Sequence, residues 1–460
     1  MITSMESGNF HFTSALTSEG WQSGVTVAVD AQGMINSVTA GSKDGFYIKG
    51  IAIPAVPNVH SHAHQRLMLG LAERAGPGAD SFWTWREAMY GFALKLSPDD
   101  LQAVAAQLYV EMLKSGFSVV GEFQYLHHQP DGTDYDDPAE MSLRCMAAAD
   151  QAGIAITVLP TLYAYGGFGG QAPVAGQRRF INGAEGFLAI YERLRQASGH
   201  PLCRVGIAPH SLRAVTPQEL NAVIAHMAAH DHGAPIHIHA AEQRKEVDDC
   251  LAWSRKRPVA WLLDRADVDD RWCLVHATHL DDDEIVRLAK SGAVAGLCPS
   301  TEANLGDGIF NAPDYFSQSG RWGIGGDSHV GVDPFRELLV VESAQRLNAA
   351  RRNILQTPGV DSIGGGLYRQ ALSGGARALG QNIGAIAVNC RADLLVMNND
   401  DVALAEHSGD TLLDAAIFGP ARQPVRDVMA GGAWVVREGH HALEAAAFAR
   451  YRETLKRLLN

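Results

Sequence analysis

The chain has 460 residues, 46% of them hydrophobic, and a formal net charge of −13. It is long enough for a large core and two or three domains, or one barrel with an appendage. An acidic chain with no long basic run is a poor partner for nucleic acid or an anionic membrane, and an anionic substrate would need locally placed arginines.

The start, "MITSMESGNFHF", lacks the basic-then-apolar pattern of a signal peptide, and no segment has the uninterrupted apolar length of a membrane span. Six scattered cysteines (Cys145, Cys203, Cys250, Cys273, Cys298, Cys390) form no CxxC pair and read as reduced thiols. A soluble cytoplasmic protein is expected.

The first elements, "NFHFTSALT", "GVTVAVDAQGMINSVTA" and "GFYIKG", are short, β-branched and punctuated by Gly and Asp, the pattern of hairpin strands. From about Ile51 apolar runs of strand length alternate with helical stretches. "SPDDLQAVAAQLYVEMLKSG" opens with Ser97 as a cap and Pro98 in the first turn, and ends near Gly116. "TPQELNAVIAHMAAHD" repeats the formula with Thr216 and Pro217. The strand-like runs are "IAIPAVPNVHSH", "SVVGEF", "IAITVLPTLY", "VGIAPHSL", "APIHIHAAE", "WCLVHATHL", "GAVAGLCPST" and "WGIGGDSH". Near-continuous apolar strands separated by helices predict a parallel sheet, and eight such units a barrel. After Gly380, "ADLLVMNND" and "PVRDVMAGGAWVVREGH" return to short strands, followed by a helix, "EAAAFARYRETLKRLL". The expected class is α/β: a (β/α)8 TIM-type barrel over residues 53–380, with a small β-sandwich domain built from both termini, 1–52 and 381–460, the latter including the last helix.

Each run ends in a polar cluster, and active sites of such barrels lie at the C-terminal ends of the strands. The first ends "VPNVHSHAHQR", where His60, His62 and His64 alternate, so that two or three rings share a face and can grip one ion. The fifth reads "IHIHAAE", with His239 followed three residues later by Glu242. The sixth brings His276 in "VHATH", and the eighth brings Asp327 in "GGDSH". His60, His62, His239 and Asp327 offer neutral nitrogens and one carboxylate, a set that suits Zn2+ or Fe2+ and is too rich in nitrogen for Mg2+ or Ca2+. An open position would hold a water whose pKa falls towards 7, a nucleophile at neutral pH. His276 is placed beside that water. His237 reads as a buried structural or ligand-supporting histidine, His64 as pocket wall, and His279 and His329 as ligand-supporting or loop groups. His127, His128 and His210 read as polar loop residues.

Arg86 in "SFWTWREAMY" and Arg213 in "APHSLRAV" each stand alone among apolar and small residues. Two guanidinium forks on an acidic chain favour a dicarboxylate or otherwise anionic substrate over structural ion pairs. The Gly-rich "YAYGGFGGQAPVAGQRRF" lacks the GK[ST] ending of a phosphate loop, and reads equally as a lid or a surface loop.

The histidine–aspartate constellation resembles the amidohydrolase superfamily. That resemblance implies one metal, because the fourth run ends "VGIAPHSLR" without the lysine that bridges two metals in dinuclear members. "HAAE" is similar to the deaminase branch, where its glutamate shuttles protons to the leaving nitrogen. "NVHSHAHQRLMLGLAE", "FWTWREAMY", "GEFQYLHH", "YGGFGGQ", "APHSLRAV", "HIHAAEQ", "LVHATH", "STEANLGDGIF" and "GDSH" together resemble the formimidoylglutamate deiminase family, over about residues 50 to 350. This implies hydrolysis of N-formimino-L-glutamate to N-formyl-L-glutamate and ammonia, by a hydroxide on one metal, in histidine degradation. By position, His60, His62, His239 and Asp327 match the metal ligands, Glu242, His276 and Asp327 the catalytic groups, and Gln65, Arg86, Tyr125 and Arg213 the grip on the glutamate portion. One Zn2+ per chain, with Fe2+ as the alternative, and a homodimer are implied with it. His64 stands where the family usually has Phe, and Gly326 where it has Ser. The segment "SHVGVDPFRELLVVESAQR" is also less typical. All three departures bear on substrate preference. Competing readings are a mononuclear deaminase of a purine-like ring, which would need aromatic stacking in place of paired arginines, and a non-catalytic barrel scaffold.

Overall fold

The computed structural model describes residues 7–73 and 81–459. The predicted runs form a (β/α)8 barrel. Its strands are Val56–Ser61, Phe117–Gln124, Ala155–Leu162, a broken fourth of Cys203–Val205 and Ala208–Pro209, then Ile236–Ala240, Trp272–His276, Val294–Leu297 and Arg321–Ile324. The ring closes where Ile324 pairs with Asn58, and bridges Ile207–Ile236 and Ser211–His239 join the fourth strand to the fifth. The first three strands are buried at every position. Burial on both faces is the reason these segments read as unbroken apolar runs rather than alternating ones.

The helix caps follow the sequence. Ser97 accepts from Asp100 N while the Asp100 carboxylate takes Ser97 N, and Gly116 ends helix Pro98–Ser115 in a left-handed turn. Thr216 and Glu219 make the same reciprocal box for helix Pro217–His230.

Helix Ile363–Leu379 packs against the first and last barrel strands, and its glycines permit the approach. A Cβ on Gly374 would lie 1.8 Å from the Trp322 carbonyl oxygen, and one on Gly375 2.8 Å from Pro57 Cβ. Its last turn packs into the barrel: Ala378 joins Val59, Cys273, Val275, Val294 and Cys298 in one apolar cluster. His237 Nε2 donates to the Ala378 carbonyl at 2.7 Å, the structural role that its position suggested.

One run divides differently from its reading in the sequence. "IAIPAVPNVHSH" is two strands: Phe46–Pro54 belongs to a second sheet, and the barrel strand starts at Val56. The break falls at Ala55, whose N–H is given to the Asp393 carbonyl at 3.0 Å. The second sheet has eight strands drawn from both termini. Its halves meet where Leu394–Val396 pairs antiparallel with Ala52–Pro54, over a separate core that includes Phe12, Val27, Ile35 and Met429. Helix Asp410–Phe418, between its strands, has no counterpart in the sequence reading. The last helix, Glu444–Leu459, packs on helix Pro98–Ser115 through ion pairs Lys114–Glu444 and Arg457–Asp100. Among the described residues no helix is long and apolar enough to cross a membrane. The first six residues, part of the segment read for a signal peptide, lie outside the described residues.

Candidate active site

The C-terminal ends of the first, fifth and eighth barrel strands bring His60, His62, His239 and Asp327 together, one ligand atom of each within 4.8 Å of all the others. All are buried. His62 Nδ1 donates to the Phe123 carbonyl at 2.8 Å and His239 Nδ1 to the His210 carbonyl at 3.1 Å. Those bonds fix the tautomers and leave both Nε2 lone pairs turned inward. Each Nε2 lies 3.1 Å from His60 Nε2. A single proton on His60 Nε2 can satisfy only one of them, whereas a shared cation satisfies all three. Asp327 Oδ1 sits 3.4 Å from the Nε2 atoms of His60 and His62. Burial drives the pKa of all three imidazoles below the usual histidine range, so they stay neutral, as metal ligands must. The residues therefore fit one transition-metal ion. Asp327 is held by reciprocal backbone bonds across the closure, Asp327 N to His60 O and His62 N to Asp327 O, at 3.0 and 3.1 Å.

Glu242 and His276 adjoin this cluster. His276 Nε2 lies 3.7 Å from Glu242 Oε1 and 4.0 Å from Asp327 Oδ2. Burial pushes the Glu242 carboxyl upward, against the opposing pull of His276 and Arg213. For His276, burial opposes protonation, but Glu242, Glu302 and Asp327 together lift it to about 10. The pair can thus hold and pass a proton. His276 and Asp327 adopt left-handed φ values of 68° and 51°, backbone strain of a kind that clusters at functional sites.

A cavity opens onto the cluster, and Gln65, Arg86, Tyr125 and Arg213 line it with His62, His239, Glu242, His276 and Asp327. Helix Phe82–Ala93, capped by Ser81, carries Arg86. The Arg86 guanidinium rests 4.6 Å over Trp83 and 5.5 Å over Tyr90, and the Arg213 guanidinium lies 5.8 Å from the same indole. Both Nε atoms are buried and have no hydrogen-bond partner among the described residues. Arg213 Nη2 approaches Glu242 Oε2 only to 4.0 Å. Gln65 Nε2 reaches the Tyr125 hydroxyl at 2.9 Å.

Several contributors were not singled out in the sequence. His210, read as a bland loop residue, ends the fourth strand, stacks on His239 with centroids 4.9 Å apart, and lines the cavity. Glu302 accepts from His276 Nδ1 at 3.2 Å. Glu246 accepts the backbone N–H groups of Ala241 and Glu242 at 3.2 and 3.1 Å, fixing the turn that presents Glu242. Glu122 takes Ser61 Oγ at 2.6 Å and Ala63 N at 2.8 Å, clamping the backbone around His62. His329 Nε2 adds a bond to Ser61 Oγ at 2.8 Å, in the supporting role expected of it. The Gly-rich segment closes on itself through Gly166 N and the Gln171 carbonyl. Its flanks supply Tyr163 and Phe180 to the cavity wall.

Four likenesses bear on this geometry. Residues 51–435 match the model of the amidohydrolase family. A formimidoylglutamate deiminase of Pseudomonas aeruginosa is 52% identical over 97% of this chain and 98% of its own length. An 8-oxoguanine deaminase of the same organism is 27% identical over 89% and 88%. The crystal structure of an amidohydrolase from Brucella melitensis superposes with a TM-score of 0.93 at 45% identity, covering 98% of this chain and 100% of that one.

Proposed function

The chain belongs to the amidohydrolase family, and on that premise we propose that it hydrolyses N-formimino-L-glutamate to N-formyl-L-glutamate and ammonia. The observation that carries this reading is the division of the cavity. Its floor holds the His60–His62–His239–Asp327 cluster with Glu242 and His276, and its wall holds Arg86 and Arg213, the Nε of each without a hydrogen-bond partner among the described residues. A substrate with a reactive amidine at one end and carboxylates at the other matches both parts.

His60, His62, His239 and Asp327 would hold the metal, and zinc fits their donor set, with ferrous iron as the alternative. When bound, the metal supplies Lewis acidity that makes water nucleophilic at neutral pH. The remaining chemistry belongs to the side chains. Asp327 accepts a proton from the attacking water. Glu242 hydrogen-bonds the amidine nitrogen and delivers a proton to it, so that ammonia leaves rather than amide ion. His276 donates to the oxygen as negative charge grows there. Arg86, Arg213, Tyr125 and Gln65 hold the glutamate portion and fix the amidine carbon over the floor.

On this reaction, we read the chain as an enzyme of histidine degradation. Its unpaired cysteines fit a reducing cytoplasm, and we take the working form to be a homodimer. The test is a substrate panel on purified protein. Ammonia should be released from N-formimino-L-glutamate and not from guanine or 8-oxoguanine. Turnover of a purine in preference to the amidine would overturn the assignment.

A further inference from the structure

Tyr125 OH stands at a junction of hydrogen bonds whose bookkeeping assigns a role to His64. A phenol oxygen carries one proton and two acceptor lone pairs. Gln65 Nε2, a donor, lies 2.9 Å from that oxygen, and His64 Nε2 lies 2.9 Å from it on another side. The third neighbour is Met89 Sδ at 3.4 Å, a weak acceptor. His64, Gln65 and Tyr125 are 2%, 4% and 3% exposed, so bulk water does not substitute for any of these partners.

We infer that His64 is a positioning residue that donates from Nε2 to the Tyr125 hydroxyl and so makes Tyr125 a one-way donor to a carboxylate in the cavity. This rests on the reading of Tyr125 as part of the carboxylate grip. With Gln65 and His64 both donating, the oxygen's lone pairs are filled, and its own proton can go only towards the third side. There it meets a thioether. Gln65, Met89 and Tyr125 all line the cavity, so the loosely held proton lies where a ligand arrives. A carboxylate oxygen gains a charge-assisted hydrogen bond and displaces only Met89 Sδ. The opposite tautomer of His64 would take the phenol proton and turn a lone pair towards the incoming carboxylate, which repels it. The same orientation leaves Gln65 Oε1 buried and without a partner among the described residues, open to an N–H of the ligand. A donor-only hydroxyl also discriminates: it donates to a carboxylate oxygen and has no lone pair to offer a carboxamide nitrogen or an ammonium at that spot.

The test is calorimetric binding of glutarate and of its monoamide to metal-replete wild type, His64→Phe and His64→Gln. Wild type should prefer the diacid. His64→Phe keeps a ring but has no donor, and should lose roughly tenfold in glutarate affinity, narrowing the preference for diacid over monoamide by a similar factor. His64→Gln restores an N–H and should recover most of the loss, which a purely space-filling role would not produce. Equal glutarate binding by His64→Phe, or no recovery in His64→Gln, overturns the inference and leaves the carboxylate grip standing. A wild type that binds neither ligand overturns the grip and the inference together. Nitrogen-15 NMR of the His64 ring needs no variant: a protonated Nε2 is the expected state, and a bare Nε2 with a protonated Nδ1 overturns the proposal.

Discussion

At the scale of single residues, each proposed role corresponds to a distinct loss. Glu242 adjoins the cluster without being grouped among its ligands. Glu242→Gln should therefore keep the metal and still bind substrate, while turnover falls roughly 10²–10⁴-fold, the usual range for general acid–base catalysis. Loss of metal in this variant would make Glu242 a ligand, and near-normal ammonia release would remove its proton shuttle. Arg86 and Arg213 should behave differently. Changing either to Met leaves a substrate carboxylate unpaired, a loss of about 2–5 kcal/mol that falls on substrates bearing carboxylates. If either variant handled N-formimino-L-glutamate normally, that arginine would have no carboxylate role. That His60, His62, His239 and Asp327 converge was legible residue by residue. Alternation in "HSH" puts His60 and His62 on one face, and a donor-rich strand end is conspicuous after an apolar run. His210 and Glu302 were not legible in this way. Stacking on His239 and orienting His276 are tertiary relations, and neither leaves a local period in the sequence.

Elements present those residues, and two of them make quantitative claims. The turn after the fifth strand hangs on Glu246, whose buried carboxylate takes two backbone N–H groups. Glu246→Ala leaves both without that acceptor, at about 1–3 kcal/mol for each. Turnover should fall with stability, because Glu242 loses its fixed presentation. Thermal melting and turnover measured together check this, and a variant of wild-type stability would contradict it. Helix Ile363–Leu379 can lie against the barrel only because Gly374 has no side chain. Gly374→Ala drives a methyl into the Trp322 carbonyl and should cost about 1–3 kcal/mol or more, read from the shift in denaturant midpoint. A shift near zero would mean that the helix moves freely over the strands. The barrel rhythm itself was legible, because parallel strands buried on both faces cannot avoid being apolar. The division at Ala55 was not. An apolar run gives the same signal whichever sheet receives it, and here the choice is made by Asp393 and by pairing with Leu394–Val396, more than 300 residues away.

For the molecule as a whole, the same burial that keeps imidazoles neutral makes the fold sensitive to acid. His127 is fully buried with Nε2 on the Thr161 carbonyl, and burial holds its pKa down to about 3 from an ordinary 6.5. Between those values the unfolded chain binds a proton that the folded chain refuses. Its contribution is therefore complete above pH 6.5 and is lost as pH falls, by about 1.4 kcal/mol per pH unit for one proton. Denaturant midpoints between pH 7 and 4.5 should fall less steeply for His127→Gln than for wild type, and parallel curves would contradict this account. The central claim is broader: a single metal held by His60, His62, His239 and Asp327 serves hydrolysis of a formimino group. It is tested most directly by titrating metal back into metal-stripped protein while recording ammonia released from N-formimino-L-glutamate. The account predicts that activity rises linearly and stops at about one metal per chain, with one ammonia formed for each N-formyl-L-glutamate. Activity that needs two metals per chain, or no ammonia from this substrate at full metal loading, would contradict it.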